Sequence, residues 1–160
     1  MNDRDPELPK GVPPRAVLRA MSGHDFLTAI AEGRLPTPPI AETLNFRLVS
    51  VGSGTVTFEG HPGPAFYNPI GSVHGGYAAT LLDSCMACAV HSTLPAGQGY
   101  TTLELKVNLV RALTESTGPV RAVGTVIHVG RTTATAEGRL VDAAGKLYAH
   151  GTTTCVLFAL

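Results

Sequence analysis

The chain has 160 residues, 15% of them charged and 44% hydrophobic, and a formal net charge of zero. That length fits one domain with a sizeable core, and the neutral balance removes the electrostatic case for nucleic acid or an anionic membrane as partner. No apolar run approaches the length of a membrane span, and the low charge content points to surface buried between subunits.

Residues Met1 to Pro14 are polar and proline-rich without an apolar signal core. They read as a loosely attached arm, and the protein as cytoplasmic. A helix is expected from Arg15 to Glu32, with Ser22 or His24-Asp25 as a local cap and Gly33 as its stop. Leu35-Pro36-Thr37-Pro38-Pro39 should be extended. Leu44–Val51 and Thr55–Glu59 form a hairpin about Gly52-Ser53-Gly54, and a proline-rich loop leads to a helix over about Gly75–Ser92. Four strands follow at Tyr100–Leu113, Val120–Val129, Thr132–Val141 and Leu147–Phe158. The chain thus divides into an N-terminal arm and helix (1–41) and a domain over 42–160. The expected class is α+β, an antiparallel sheet wrapped around one long helix, with an extra N-terminal helix.

Asp83 stands out because the run from His74 to Val90 is otherwise small or apolar on nearly every side. Such a helix is a buried one, and an ionised carboxylate inside it costs several kcal/mol unless paired, solvated or protonated. That makes Asp83 a candidate reactive group. Cys85 and Cys88 form a C-x-x-C, but well inside the same helix, and Cys155 falls in an apolar strand. All three read as packing residues rather than redox or metal ligands. His24, His61, His91, His128 and His150 show no metal-ligand spacing and read as structural or exposed.

The stretch Asn68-Pro69-Ile70-Gly71-Ser72-Val73-His74-Gly75-Gly76, with Asp83 eight positions after Gly75, resembles the acyl-CoA thioesterases of the PaaI-like group, relatives of 4-hydroxybenzoyl-CoA thioesterase. Thr101–Asn108 and Val126–Arg131 fit the same family's strands, so the resemblance covers roughly residues 42–158. It implies the hot-dog fold, hydrolysis of acyl-CoA to acid and CoA, and a homodimer or tetramer with composite sites. No cofactor or metal is implied, coenzyme A being part of the substrate.

Gly75 and Gly76 open the helix, where backbone N–H groups lack intrahelical acceptors and the absent Cβ admits a ligand. With the helix dipole this makes an oxyanion site. Eight residues along a helix rise about 12 Å, so one chain's Gly75 and Asp83 cannot share a carbonyl carbon. The resemblance implies that Gly75 of one subunit faces Asp83 of another. Asp83 would activate water or attack the thioester directly, and the sequence does not choose between the two. The resemblance further assigns Asn68 to fixing substrate or water, and His74 to orienting that amide or assisting the thiolate. It assigns Thr101 to holding water beside the acid. Gly76, Tyr77 and Leu82 are expected to contact substrate, with Leu81, Phe66 and Tyr67 shaping the acyl pocket. Of Arg111, Arg131 and Arg139, Arg131 on its turn is the expected contact for the anionic CoA.

Two other readings compete. A hot-dog enoyl-CoA hydratase would carry an acid followed closely by a His, whereas here the His comes first. A non-catalytic acyl-CoA-binding module would have no use for a buried acid beside a thioester.

Overall fold

The computed structural model describes residues 11–160. Of the loose arm expected over residues 1–14, residues 1–10 therefore lie outside the described residues. Gly11, just beyond it, donates its N–H to the Thr37 carbonyl at 3.0 Å.

The N-terminal helix is two helices, α1 (Arg15–Ala20) and α2 (Gly23–Ala31). Met21 and Ser22 are extended, and the Ser22 hydroxyl caps α2 by accepting from the Asp25 N–H at 3.2 Å. Tertiary docking sets the break. The Gly23 N–H donates to the Leu94 carbonyl at 2.9 Å, and a Cβ on Gly23 would collide with the His91 carbonyl. Ser22 was legible as a cap, but the contact that ends α1 before it was not. Gly33, at φ 73°, stops α2 as expected. Pro39, expected to be extended, instead opens α3 (Pro39–Thr43), where its fixed φ suits a first helical position.

From there the elements follow the expected order. They are β1 (Phe46–Gly52), β2 (Thr55–Gly60), α4 (Gly75–His91), β3 (Gln98–Leu109), β4 (Val120–Val129), β5 (Thr133–Asp142) and β6 (Leu147–Ala159). Every strand pairing is antiparallel, in the order β1-β2-β4-β5-β6-β3. The chain runs from α4 to the far edge of the sheet before returning to its middle.

The sheet curls around α4. Leu81, Leu82, Cys85, Met86 and Val90 are fully buried against Val56, Val120, Ala136, Leu140 and Cys155. A row of two glycines makes the approach close: Gly124 on β4 pairs with Gly138 on β5. A Cβ on Gly138 would stand 2.8 Å from Met86 Cγ, and one on Gly124 would overlap the Cys85 carbonyl. Buried Cys85 and Cys155 pack as small hydrophobes, and burial pushes the Cys88 thiol up to about 12. Thiols held that far from ionisation are poor nucleophiles.

β3 is an edge strand of twelve residues with Leu103 and Leu109 more than half exposed. A long apolar edge of this kind is a ready template for another strand. Among the described residues no helix is long and apolar enough to cross a membrane.

Candidate active site

The loop before α4 is closed by Asn68. Its Oδ1 accepts from the N–H groups of Ile70 (3.1 Å) and Ser72 (3.2 Å), and its Nδ2 donates to Ser72 Oγ at 3.1 Å. Gly71, at φ 84°, makes the tight return possible. His74 then caps the helix, its Nδ1 accepting the Gly76 N–H at 2.9 Å. That bond fixes the neutral tautomer with its proton on Nε2. It also separates the two glycines: the Gly76 N–H is taken, and among the described residues the Gly75 N–H has no acceptor.

Gly75 opens on a cavity of about 230 Å³ shared with Asn68, His74, Leu109, Arg111 and Tyr148. The structure therefore brings Asn68, His74 and Gly75 together. It places Arg111 beside them, where one guanidinium N–H donates to the Leu147 carbonyl at 2.7 Å. Arg131, the expected cation, is an exposed residue on the β4–β5 turn and lines neither this cavity nor that of Asp83.

Asp83 is half-buried rather than enclosed, because its side of α4 faces a cavity of about 550 Å³. The opposite face holds Leu81 and Leu82, both fully buried in the core. Leu82 is thus a packing residue and not a substrate contact. The hydroxyl that reaches Asp83 belongs to Thr102, which donates to Oδ1 at 2.9 Å. Strand parity explains why it is not Thr101. Tyr100 and Thr102 share the face of β3 turned toward α4, and the exposed Thr101 lies between them on the other, although it too borders the Asp83 cavity.

Tyr77, Phe66 and Tyr67 do not line the Asp83 cavity. Tyr77 is 3% exposed and stacks on Phe66 at 5.1 Å, and the three residues border a separate opening with His74 and Gly76. The walls of the Asp83 cavity come largely from elements with no expected role. Leu18, Phe26, Leu27 and Ile30 from α1 and α2 close one side, and Cys88, His91 and Tyr100 another. Helical spacing was the available signal, since Asp83, Ala87 and His91 fall on one stripe of α4.

His91 is 5% exposed and packs its ring against Phe26 (5.6 Å) and Tyr100 (5.0 Å). Burial lowers its pKa from 6.5 to about 4. Between those values the unfolded chain binds a proton there that the folded chain refuses. The stability involved is fully present above the ordinary pKa and is lost as the pH falls toward 4, by on the order of 3 kcal/mol. Denaturant midpoints measured across this interval should fall for the native chain and fall less for His91→Phe.

Among the described residues none lines both cavities, so one chain's Gly75 and Asp83 open on different spaces. This agrees with the helical rise between them.

The comparisons with known proteins centre on this region. The model of the Thioesterase superfamily matches residues 70–149, half of the chain. A Halobacterium salinarum protein named as an esterase is 36% identical over 88 residues, which are 54% of this chain and 56% of that protein; the match spans little more than half of that relative. A 1,4-dihydroxy-2-naphthoyl-CoA hydrolase of Listeria monocytogenes is 24% identical over 108 residues, covering 68% of this chain and 86% of the hydrolase. A crystal structure from Ralstonia eutropha JMP134, described as a thioesterase related to phenylacetic acid degradation, superposes with a TM-score of 0.74 at 30% identity. That superposition covers 82% of this chain and 98% of the other. The sheet wrapped on α4 is therefore the hot-dog fold, and the matched span carries His74, Gly75, Asp83 and Thr102 in the places described. The chain belongs to the thioesterase superfamily.

Proposed function

We propose that the protein hydrolyses acyl-CoA thioesters at sites built from two copies of the chain. The observation that carries this reading is the division of labour on α4. A free Gly75 N–H at the helix start opens on one cavity, and a Thr102-bonded carboxylate two turns later opens on another. The CoA hydrolase among the relatives supports the substrate class.

The β3 edge supports the assembly. Gly75 abuts Leu109 near one end of that strand, and Asp83 bonds Thr102 near the other. Two β3 edges pairing antiparallel about a point near Leu105 and Lys106 bring each chain's Leu109 end against its partner's Thr102 end. One chain's Gly75 then stands across from the partner's Asp83, with Leu103 and Leu109 covered. A dimer suffices for this.

In the proposed reaction the thioester carbonyl oxygen accepts the Gly75 N–H, reinforced by the positive end of the α4 dipole. Thr102 occupies Oδ1 of Asp83 and leaves Oδ2 for a water molecule. Oδ2 takes a proton as the water oxygen bonds to the carbonyl carbon. The tetrahedral intermediate then expels the thiolate, which leaves with the proton as CoA-SH. Direct attack by Oδ2 would give a mixed anhydride that water cleaves, and it uses the same atoms. Arg111, beside the Gly75 cavity, is the cation best placed for the CoA phosphates. No further cofactor enters this scheme.

Gly75→Pro tests the oxyanion donor, at the cost of turning Leu109 aside, since a Cβ on residue 75 would stand 2.5 Å from the end of that side chain. Proline removes that N–H, and helices accept proline at the first position. His74, at φ −58° and ψ 137°, already has the backbone a residue before proline adopts. The variant should fold and release thiol from acyl-CoA on the order of 100-fold more slowly. Undiminished thiol release would remove Gly75 from the mechanism.

A further inference from the structure

The two helices at the start of the described chain are held very differently. α2 buries Gly23, Phe26, Leu27 and Ala29, and its first N–H donates to the Leu94 carbonyl at 2.9 Å. α1 is six residues long and buries none of them. A helix of that length is not stable by itself. Its start has no side-chain cap, and Met21 beyond its end is extended. Among the described residues, the hydrogen bonds that tie residues 12–21 to the rest of the fold come from one side chain. The Arg19 guanidinium donates twice to the Leu160 carbonyl, through Nε at 2.7 Å and through one terminal nitrogen. Both bonds are exposed, so water competes for the partners.

The segment is fixed on either side. Gly11 donates its N–H to the Thr37 carbonyl and takes φ 135°, a backbone that residues with a Cβ rarely adopt. Gly23 lies so close to the His91 carbonyl that no side chain fits there. Between these anchors, Pro13 and Leu18 line the Asp83 cavity together with Cys88 and Tyr100. α1 thus covers a space beside the acid while having little to hold it down. That is the condition of a segment that opens ahead of the body beneath it.

We propose that residues 12–21 are a flap over the Asp83 cavity, hinged at Gly11 and Met21 and latched by Arg19 on the Leu160 carbonyl. The flap opens to pass the acyl group and closes to shield the bound thioester from bulk water. The inference rests on the hydrolase reading for what passes beneath the flap, and the movement itself stands apart from that reading. Opening leaves α2 in place, with Phe26 and Leu27 still buried. Arg19 takes no part in the bond cleavage and sets only how often the flap stands open.

Cys88 is a reporter already in position. It lines the cavity and is half-buried, whereas Cys85 and Cys155 are buried in the core. Its alkylation by N-ethylmaleimide, located by mass spectrometry, reads access to the cavity. Amide hydrogen exchange over residues 12–21 and over α2 reads which part moves. Arg19 is exposed, so Arg19→Met removes the latch and keeps the fold. That variant should speed Cys88 alkylation and exchange over residues 12–21 by about tenfold, the factor that one hydrogen bond from a charged group represents. Exchange in α2 should stay as it was. Octanoyl-CoA or phenylacetyl-CoA, bound to Asp83→Asn, should slow both alkylation and exchange over residues 12–21. Equal alkylation in the native chain and Arg19→Met overturns the inference, and so does exchange in which residues 12–21 open only together with α2. A flap left unprotected by both acyl-CoAs overturns its link to the acyl group. Latch dependence and protection by acyl-CoA without thiol release would sustain the flap and sink the hydrolase reading. Thiol release without latch dependence would do the reverse.

Discussion

Asp83→Asn is expected to lower kcat for acyl-CoA hydrolysis by about 100- to 10,000-fold, the range associated with losing a positioned base, while leaving the fold in place. Asparagine has nearly the volume of aspartate. Its carbonyl oxygen can still accept the Thr102 hydroxyl that now bonds Oδ1. What it cannot supply is an oxygen able to take a proton from water or to attack carbon. Thiol release and thermal unfolding, measured side by side, separate chemistry from folding. Activity that survives the substitution would remove Asp83 from the reaction. The proposed composite site gives the variant a second use. Asp83→Asn chains keep Gly75, and Gly75→Pro chains keep Asp83. If each site takes one residue from each chain, a heterodimer of the two inactive variants contains one complete site. Mixing, unfolding and refolding them together should therefore restore roughly a quarter of native activity, by random pairing in a two-fold dimer. A site contained in one chain would show no recovery.

The sequence pattern made the sheet, the long helix and the order of strands legible, because alternation and apolar runs report burial and burial follows from the fold. The hairpin about Gly54, the helix opening at Gly75 and β4 at Val120–Val129 needed no tertiary information. Misreadings occurred where a contact distant in sequence decides a local outcome. The Gly23 contact with the last turn of α4 splits the N-terminal helix, and nothing near residue 23 reveals it. Pro39 opens a helix although prolines precede it. At the candidate site, the family motif pointed to His74, Gly75 and Asp83, but strand parity was needed to put the Thr102 hydroxyl rather than that of Thr101 on the acid. Leu82, next to Asp83 in sequence, points into the core because neighbours on a helix are about 100° apart. The cavity wall from α1 and α2 was not legible, since it depends on where those helices dock.

Gly124→Ala is expected to be among the most destabilising single-methyl changes in the chain, at about 3 kcal/mol or more, above the usual cost of overpacking a core. Most overpacked sites recover by turning a side chain. Here a new Cβ would overlap the Cys85 carbonyl and press on the Met86 amide, and these are backbone atoms in the middle of α4. Relief requires the helix to lift from β4 or the sheet to flatten. Neither is local, because Gly124 pairs with Gly138, whose own missing side chain makes room for Met86. The same helix carries Gly75 at its start and Asp83 at its centre, so lifting it moves the oxyanion donor and the acid together. Loss of stability should therefore be accompanied by loss of thiol release even in the fraction that remains folded. Gly63→Ala is the control: its backbone is extended at φ −158°, and a Cβ there meets nothing within 4 Å. Its denaturant midpoint should change by less than about 0.5 kcal/mol equivalent, with activity retained. If the two variants unfold at the same denaturant concentration, the close seating of α4 on the glycine row is not what holds this fold together.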